Sequence, residues 1–260
     1  MKLINFFIGC VKKRLSEEMA YKSNFIISMM TLLTFNIILP FVTILIYLNT
    51  EGFKGWSFDQ ILLFQGIYIL VNSIDSLFFQ RVDWTLSYDV RSGYFDRYLL
   101  YPINTLAYIS FTNFSIEHIA DFVLGIVIII YSLVHMATIF TIQKVVLFFG
   151  FFALALIFVF SLAILKYAII LKAVKIGRLG EFFRTVLSYG QYPIDIYGKV
   201  LSTFFKYLLP LAVIAYFPSK VLLDFGISNI LMIISSVIII LVLCILLWNN
   251  AIKNYTSAGG

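Results

Sequence analysis

Three carboxylates stand inside stretches otherwise apolar enough to cross a membrane: Asp75, Glu117 and Asp121. A carboxylate at the bilayer centre costs about 2.5–3.5 kcal/mol on insertion scales, so such groups face protein or water and mark candidate translocation pathways. Glu117 and Asp121 are four apart, on one helix face where like charges repel. They are expected to line a wet cavity, find a cation or hold a proton. His118 projects about 100° away from Glu117 and is not expected to be their partner. The competing reading is interhelical hydrogen bonding, or a third span that starts later and leaves Glu117 at the interface.

A second concentration of chemistry lies at Arg81 to Asn104. Arg81, Asp83, Asp89, Arg91, Asp96 and Arg97 alternate there with Trp84, Tyr88, Tyr94 and Tyr98. Mixed charge with aromatics suits a docking surface for a soluble protein, and equally a solvated loop that only joins two spans. Enzyme chemistry is poorly supplied. The chain has no Gly-rich loop ending in Gly-Lys-Ser/Thr, no His-Glu-x-x-His and no Gly-x-Ser-x-Gly elbow. Its two histidines, His118 and His135, and two cysteines, Cys10 and Cys244, lack metal-ligand spacing. No catalytic residue, metal site or nucleotide site is therefore assigned, and neither is a structural disulfide.

The elements that carry these residues follow from composition. Of 260 residues, 62% are hydrophobic and 12% charged, against about 45–50% and 25% in soluble domains. Disorder and a soluble globule are excluded, and an all-α integral membrane protein remains. Six apolar runs fit: 24–48, 60–79, 106–136, 145–171, 201–217 and 228–248, the fifth being short and stopping at Pro218. Together they form one transmembrane domain over residues 1–260. Upstream, Leu3, Phe7, Val11, Leu15 and Met19 recur every four residues, with Lys12, Lys13, Glu17 and Glu18 on other faces. This pattern predicts an interfacial amphipathic helix over about 3–20. The first run is too long for a cleaved signal core. With both termini cytoplasmic, 16 of the 19 Lys and Arg fall inside and only Lys54, Lys144 and Lys220 outside. These cations flank spans instead of forming a stripe, so the net charge of +6 does not indicate nucleic acid. The external connections 49–59, 137–144 and 218–227 are too short to build a domain, and the basic connection Lys172–Val200 is read as cytoplasmic.

The string Arg91-Ser-Gly-Tyr-Phe-Asp-Arg-Tyr-Leu-Leu-Tyr-Pro-Ile-Asn104 resembles a pattern of type-2 ABC exporter permeases, in particular a compact six-span branch of about this length. Tyr192-Pro193, Leu208-Leu209-Pro210, Ala215-Tyr216-Phe217-Pro218 and the Tyr255-Thr-Ser-Ala-Gly tail are similar to the same branch. The resemblance implies a permease subunit of the cell membrane, bacterial or archaeal in type. It pairs with a second permease chain, identical or related, and with two P-loop ATPase subunits that bind ATP and Mg; no cofactor belongs to this chain. It also implies a cytoplasmic coupling helix between spans 2 and 3, a role that falls by position on Arg91, Gly93, Asp96 and Arg97. The alternatives are a proton-coupled secondary transporter working through Asp75, Glu117 and Asp121, and a non-transporting membrane scaffold or immunity protein. Against the former, no repeat of three spans or matched pair of broken helices is visible.

Overall fold

A bilayer core offers no water to backbone N–H and C=O groups, so a spanning chain of this composition satisfies them within helices. The computed structural model describes residues 2–136, 141–173, 178–223 and 226–257, and every regular element among them is helical. Lys175 and Gly177, and parts of the connections expected at 137–144 and 218–227 and of the tail, lie outside the described residues.

Helix α1 (Lys2–Ala20) has three faces. Phe6 and Phe7 pack on Phe78, Tyr108, Phe111 and Phe114. Ile4, Ile8, Leu15 and Met19 are exposed apolar residues, while Lys12, Lys13 and Glu17 form a polar edge. After a break at Tyr21, α2 (Lys22–Asn49) buries only Thr43, whose hydroxyl accepts from Gln65 of the next helix.

Helix α3 (Phe58–Asp75) begins with a capping box in which the Ser57 and Gln60 side chains take each other's backbone N–H groups. It does not stop near Phe79, as the hydropathy suggested. A π turn at Ser76–Gln80 leads into α4 (Val82–Arg91), making a rod from Phe58 to Arg91. Val82, Leu86 and Val90 recur every four residues and are buried on the side that packs against α8 (Ile142–Lys172), which is why helix continues through a charged sequence. The true connection is 92–104, holding the short α5 (Asp96–Leu100).

The third expected span is also divided. Helix α6 (Thr105–Thr112) ends at Asn113, a 3₁₀ turn covers Ile116–His118, and α7 (Ile119–His135) follows. The break is fastened to the π turn by the Ser115 N–H, which donates to the Leu77 carbonyl at 2.8 Å. Helix α7 runs antiparallel to α3 at very close range. A Cβ on Gly125 would stand 2.8 Å from the Leu70 nitrogen, so only glycine lets the two backbones approach this far.

Residues Leu201–Phe217, expected as the fifth span, do not form one helix. After α9 (Leu179–Ser188) come α10 (Lys199–Thr203), a π turn at 204–208, a break at Leu209-Pro210, a 3₁₀ turn at 211–213 and α11 (Tyr216–Leu222). Proline supplies no N–H and cannot continue the helix. The basic connection read as cytoplasmic is displaced too. Gly180 lies against Asp83, near the far end of the rod, while Asp195 accepts from Trp56, just before its start, at 3.3 Å. Residues 179–195 therefore run the length of the α3 rod. Lys206 sits over Tyr216, whose hydroxyl donates to Asp195 at 2.6 Å, so this lysine belongs to the Trp56 end, as does Lys199 four residues past Asp195. Helix α12 (Ile230–Lys253) returns parallel to α8, with Trp248 beside Tyr167. Five segments are long and apolar enough to cross a membrane: Lys22–Asn49, Phe58–Arg91, Ile116–His135, Ile142–Lys172 and Ile230–Lys253. The chain is an all-helical, multi-pass membrane protein.

Candidate functional site

Tyr68, Asn72 and Asp75 stand at i, i+4 and i+7 on α3 and so share one face. The π turn follows at once, a distortion often found at functional sites. This face lines a cavity of about 260 Å³, completed by Leu32 and Asn36 of α2, Ser76, Gln80, Asp83, His118, Lys166 and Arg184. Lys166, counted from the sequence as a flanking cation, instead forms an ion pair of 2.6 Å with Asp83, with both side chains about nine-tenths buried.

Of the three acids nominated from the sequence, only Asp75 lines this cavity. Asp121 is buried and pairs with His118 Nδ1 at 3.0 Å, contrary to the expectation that His118 would face elsewhere. The reason is local. His118 and Asp121 are three apart at the start of α7, and positions i and i+3 are neighbours on a helix face whatever the angle between His118 and Glu117. Glu117 is left at the break, partly exposed, with Oε2 buried and without a hydrogen-bond partner among the described residues.

At the end of the rod, Trp84, Tyr88 and Arg91 form an exposed ridge at i, i+4 and i+7, with Trp84 70% and Tyr88 66% exposed. A groove of about 380 Å³ toward α8 and α9 flanks one side, walled by Ile170, Leu179, Glu181 and Arg184. A second, of about 470 Å³, lies on the other side against Lys13, Tyr94, Arg97 and Tyr108.

The nominated residues Arg91, Gly93, Asp96 and Arg97 adjoin this ridge. Gly93 has φ +74, the left-handed region that glycine enters without strain, and turns the chain sharply after Arg91. Phe95 is fully buried, with Tyr98 and Tyr255 rings 5.6 and 4.9 Å away. The Tyr98 hydroxyl donates to the Asp89 carboxylate, and burial together with that carboxylate pushes the phenol pKa upward. Arg91 and Arg97 remain exposed, the latter 5.6 Å over the Tyr94 ring, while Asp96 is half-buried beside Tyr255. Asn104 caps α6 by accepting from the Leu106 and Ala107 N–H groups.

The cavity and the ridge are thus two stations on one helical rod, joined through Asp83 and Arg184, which line both the cavity and the first groove. Sequence reasoning missed Lys166 and Arg184 because Asp83 and the rest of the cavity lie on other helices. It saw Trp84 and Tyr88 but placed them in a loop, and their i, i+4 spacing was the signal for a helix face. Neither the curated proteins nor the solved structures yield a match. The family model described as ABC-2 family transporter protein matches residues 25–259, from the start of the first span to the tail. The chain belongs to the ABC-2 transporter family, as a membrane-spanning permease component.

Proposed function

We propose that the chain is the permease subunit of an ATP-driven exporter, working as a dimer with two P-loop ATPase subunits that bind ATP and Mg. The observation that carries this reading is the Phe58–Arg91 rod, which ties the polar cavity to the exposed Trp84–Tyr88–Arg91 ridge. A displacement imposed on the ridge by a closing ATPase reaches the cavity through one packed helix. The segment around Arg91, Gly93, Asp96 and Arg97 serves as the coupling element, and α1 lies on the membrane surface with its exposed apolar face in lipid. Residues 179–195 provide a sixth crossing, and the broken 199–222 stretch stays at the outer end. Moving Lys199 and Lys206 outward and setting aside Lys166 and Arg184 at the cavity takes the cytoplasmic count from sixteen to twelve of 19 cations, which still favours cytoplasmic termini in a cell membrane.

In the complex with its ATPase, Arg91→Glu combined with Asp96→Arg is expected to keep insertion and assembly but abolish substrate-linked ATP hydrolysis. Normal transport by that double variant refutes the coupling role. The His118–Asp121 pair beside the cavity is the one feature that favours proton-coupled transport instead. Transport that survives mutation of the ATPase's P-loop lysine would establish that second reading.

A further inference from the structure

The polar cavity holds two charged groups that make no direct ion pair among the described residues. Lys166 and Asp83 satisfy each other at 2.6 Å. That leaves Asp75 and Arg184, neither of which makes a hydrogen bond or salt bridge among the described residues. Tyr68, only 9% exposed, directs its ring to the same cavity, and its hydroxyl likewise has no hydrogen-bond partner there; Asn72 and Gln80 add unpartnered amides. Asp75, Asn72 and Gln80 are half-buried and Arg184 is exposed, so they are open to a ligand, and a few unpartnered polar groups converging on one cavity with an apolar wall is the pattern of a ligand site.

Separated opposite charges select the complement. A purely anionic ligand satisfies Arg184 but meets Asp75, and a cationic one does the reverse. A ligand carrying an ammonium and an anionic group together satisfies both, with the guanidinium gripping a phosphate or carboxylate in bidentate fashion. The wall supplied by α2 adds a further requirement. It is built from Leu32 and Asn36 of α2, a helix that buries only Thr43 and exposes Phe35 and Ile38 on its outer surface. A hydrocarbon chain attached to the polar group can leave along that wall without crossing packed protein.

We infer that this cavity binds a zwitterionic amphiphile, with its ammonium on Asp75, its anionic group on Arg184 and its chain passing Leu32. This deepens the transport reading by naming a substrate class, but it is tested by binding alone. Exporter activity with no binding fells only this inference, and binding without ATP-driven transport fells only the exporter.

The purified chain in dodecyl maltoside micelles is titrated with lysophosphatidylethanolamine, and binding is followed by native mass spectrometry and thermal shift. One saturable site per chain is expected. Asp75→Asn and Arg184→Gln should each weaken it by about tenfold or more, the scale of a lost charge-assisted contact. On the unaltered protein, N-acetylating the ethanolamine removes the ammonium and should abolish binding, so the result does not depend on variants folding. Lysophosphatidylglycerol of equal chain length should not compete. Free phosphoethanolamine that fails to bind makes the hydrocarbon chain part of recognition, and free phosphoethanolamine that binds as tightly removes the amphiphile half of the proposal. Equal binding of the acetylated or anionic lipid overturns the zwitterion site outright.

Discussion

Lys166 is the residue whose removal tests the reading of the cavity most sharply. Its ammonium lies 2.6 Å from Asp83, and the two side chains are 8% and 11% exposed. Breaking such a pair from one side leaves an uncompensated buried charge and costs about 3–5 kcal/mol. Lys166→Met keeps most of the aliphatic stem, so little of the loss comes from packing. Arg184 lies on the same cavity and offsets part of the orphaned Asp83 charge, which argues for the lower end, about 3 kcal/mol. Asp83→Leu alone should cost less again, because Asp75 shares the cavity and can attend to Lys166. Replacing both, as Lys166→Met with Asp83→Leu, removes the desolvation penalty along with the attraction and should come back to within about 1 kcal/mol of the parent. The assay is reversible unfolding in dodecyl maltoside micelles titrated with dodecyl sulfate, followed by circular dichroism, as a double-mutant cycle. Single variants within about 0.5 kcal/mol of the parent, or a double variant equal to the sum of the singles, would show that the pair is not the buried interaction described here.

Two further outcomes follow from local geometry. Gly125→Val should lower the unfolding midpoint by an overpacking cost of about 1–3 kcal/mol, because its side chain meets the Leu70 backbone. Gly150→Ala, in a helix with nothing within 4 Å of its Cβ, should instead stabilise by about 0.5–1 kcal/mol, and the same sign for both would contradict the α3–α7 packing. Cys10 on α1 has its thiol pKa raised by burial, only partly opposed by Lys13. Less thiolate is then present near neutrality, so alkylation by iodoacetamide should be slower than that of glutathione and should rise only at higher pH. A profile at or below the ordinary thiol range would mean that α1 is undocked from Tyr108 and Phe111.

What the sequence disclosed depended on whether the signal was local. Hydropathy located five helices long and apolar enough to cross a membrane, and the four-residue repeat found α1, because both are properties of one segment. The string from Arg91 to Asn104 disclosed the family. His118 was misjudged because it was set against Glu117 alone: it stands three residues before Asp121, a neighbouring position on a helix face, while Glu117 stays apart at the break. Lys166 with Asp83, and Arg184 with the cavity, are pairings between helices remote in sequence, which one chain read alone does not display. The end of α3 was misplaced for a different reason. Charges after Phe79 look like a loop, yet Val82, Leu86 and Val90 keep a buried stripe running beneath them.

The broken stretch at 199–222 shows why apolar length alone misleads. Leu201–Phe217 is as hydrophobic as a short span, but irregular backbone at membrane depth is tolerated only where protein surrounds it. Leu211 to Phe217 are each at most 4% exposed, enclosed by α3, α8 and the 179–195 strand of chain, whereas a lipid-facing span would expose one side. Enclosure also explains the anchors. Asp195 takes hydrogen bonds from Trp56 and Tyr216, and the Tyr216 ring carries Lys206 at 5.4 Å and Lys220 at 4.5 Å. Burial lowers the Lys220 pKa, the nearby Asp195 opposing this. These contacts hold the broken segment to the start of α3, at the opposite end of the rod from Trp84 and Tyr88. Both ends of one helix are therefore fastened to separate polar assemblies, with the Asp75 cavity between them. A rod tied in this way cannot shift at the ridge without either straining the Asp195 anchor or bending at the π turn, and the π turn borders the cavity.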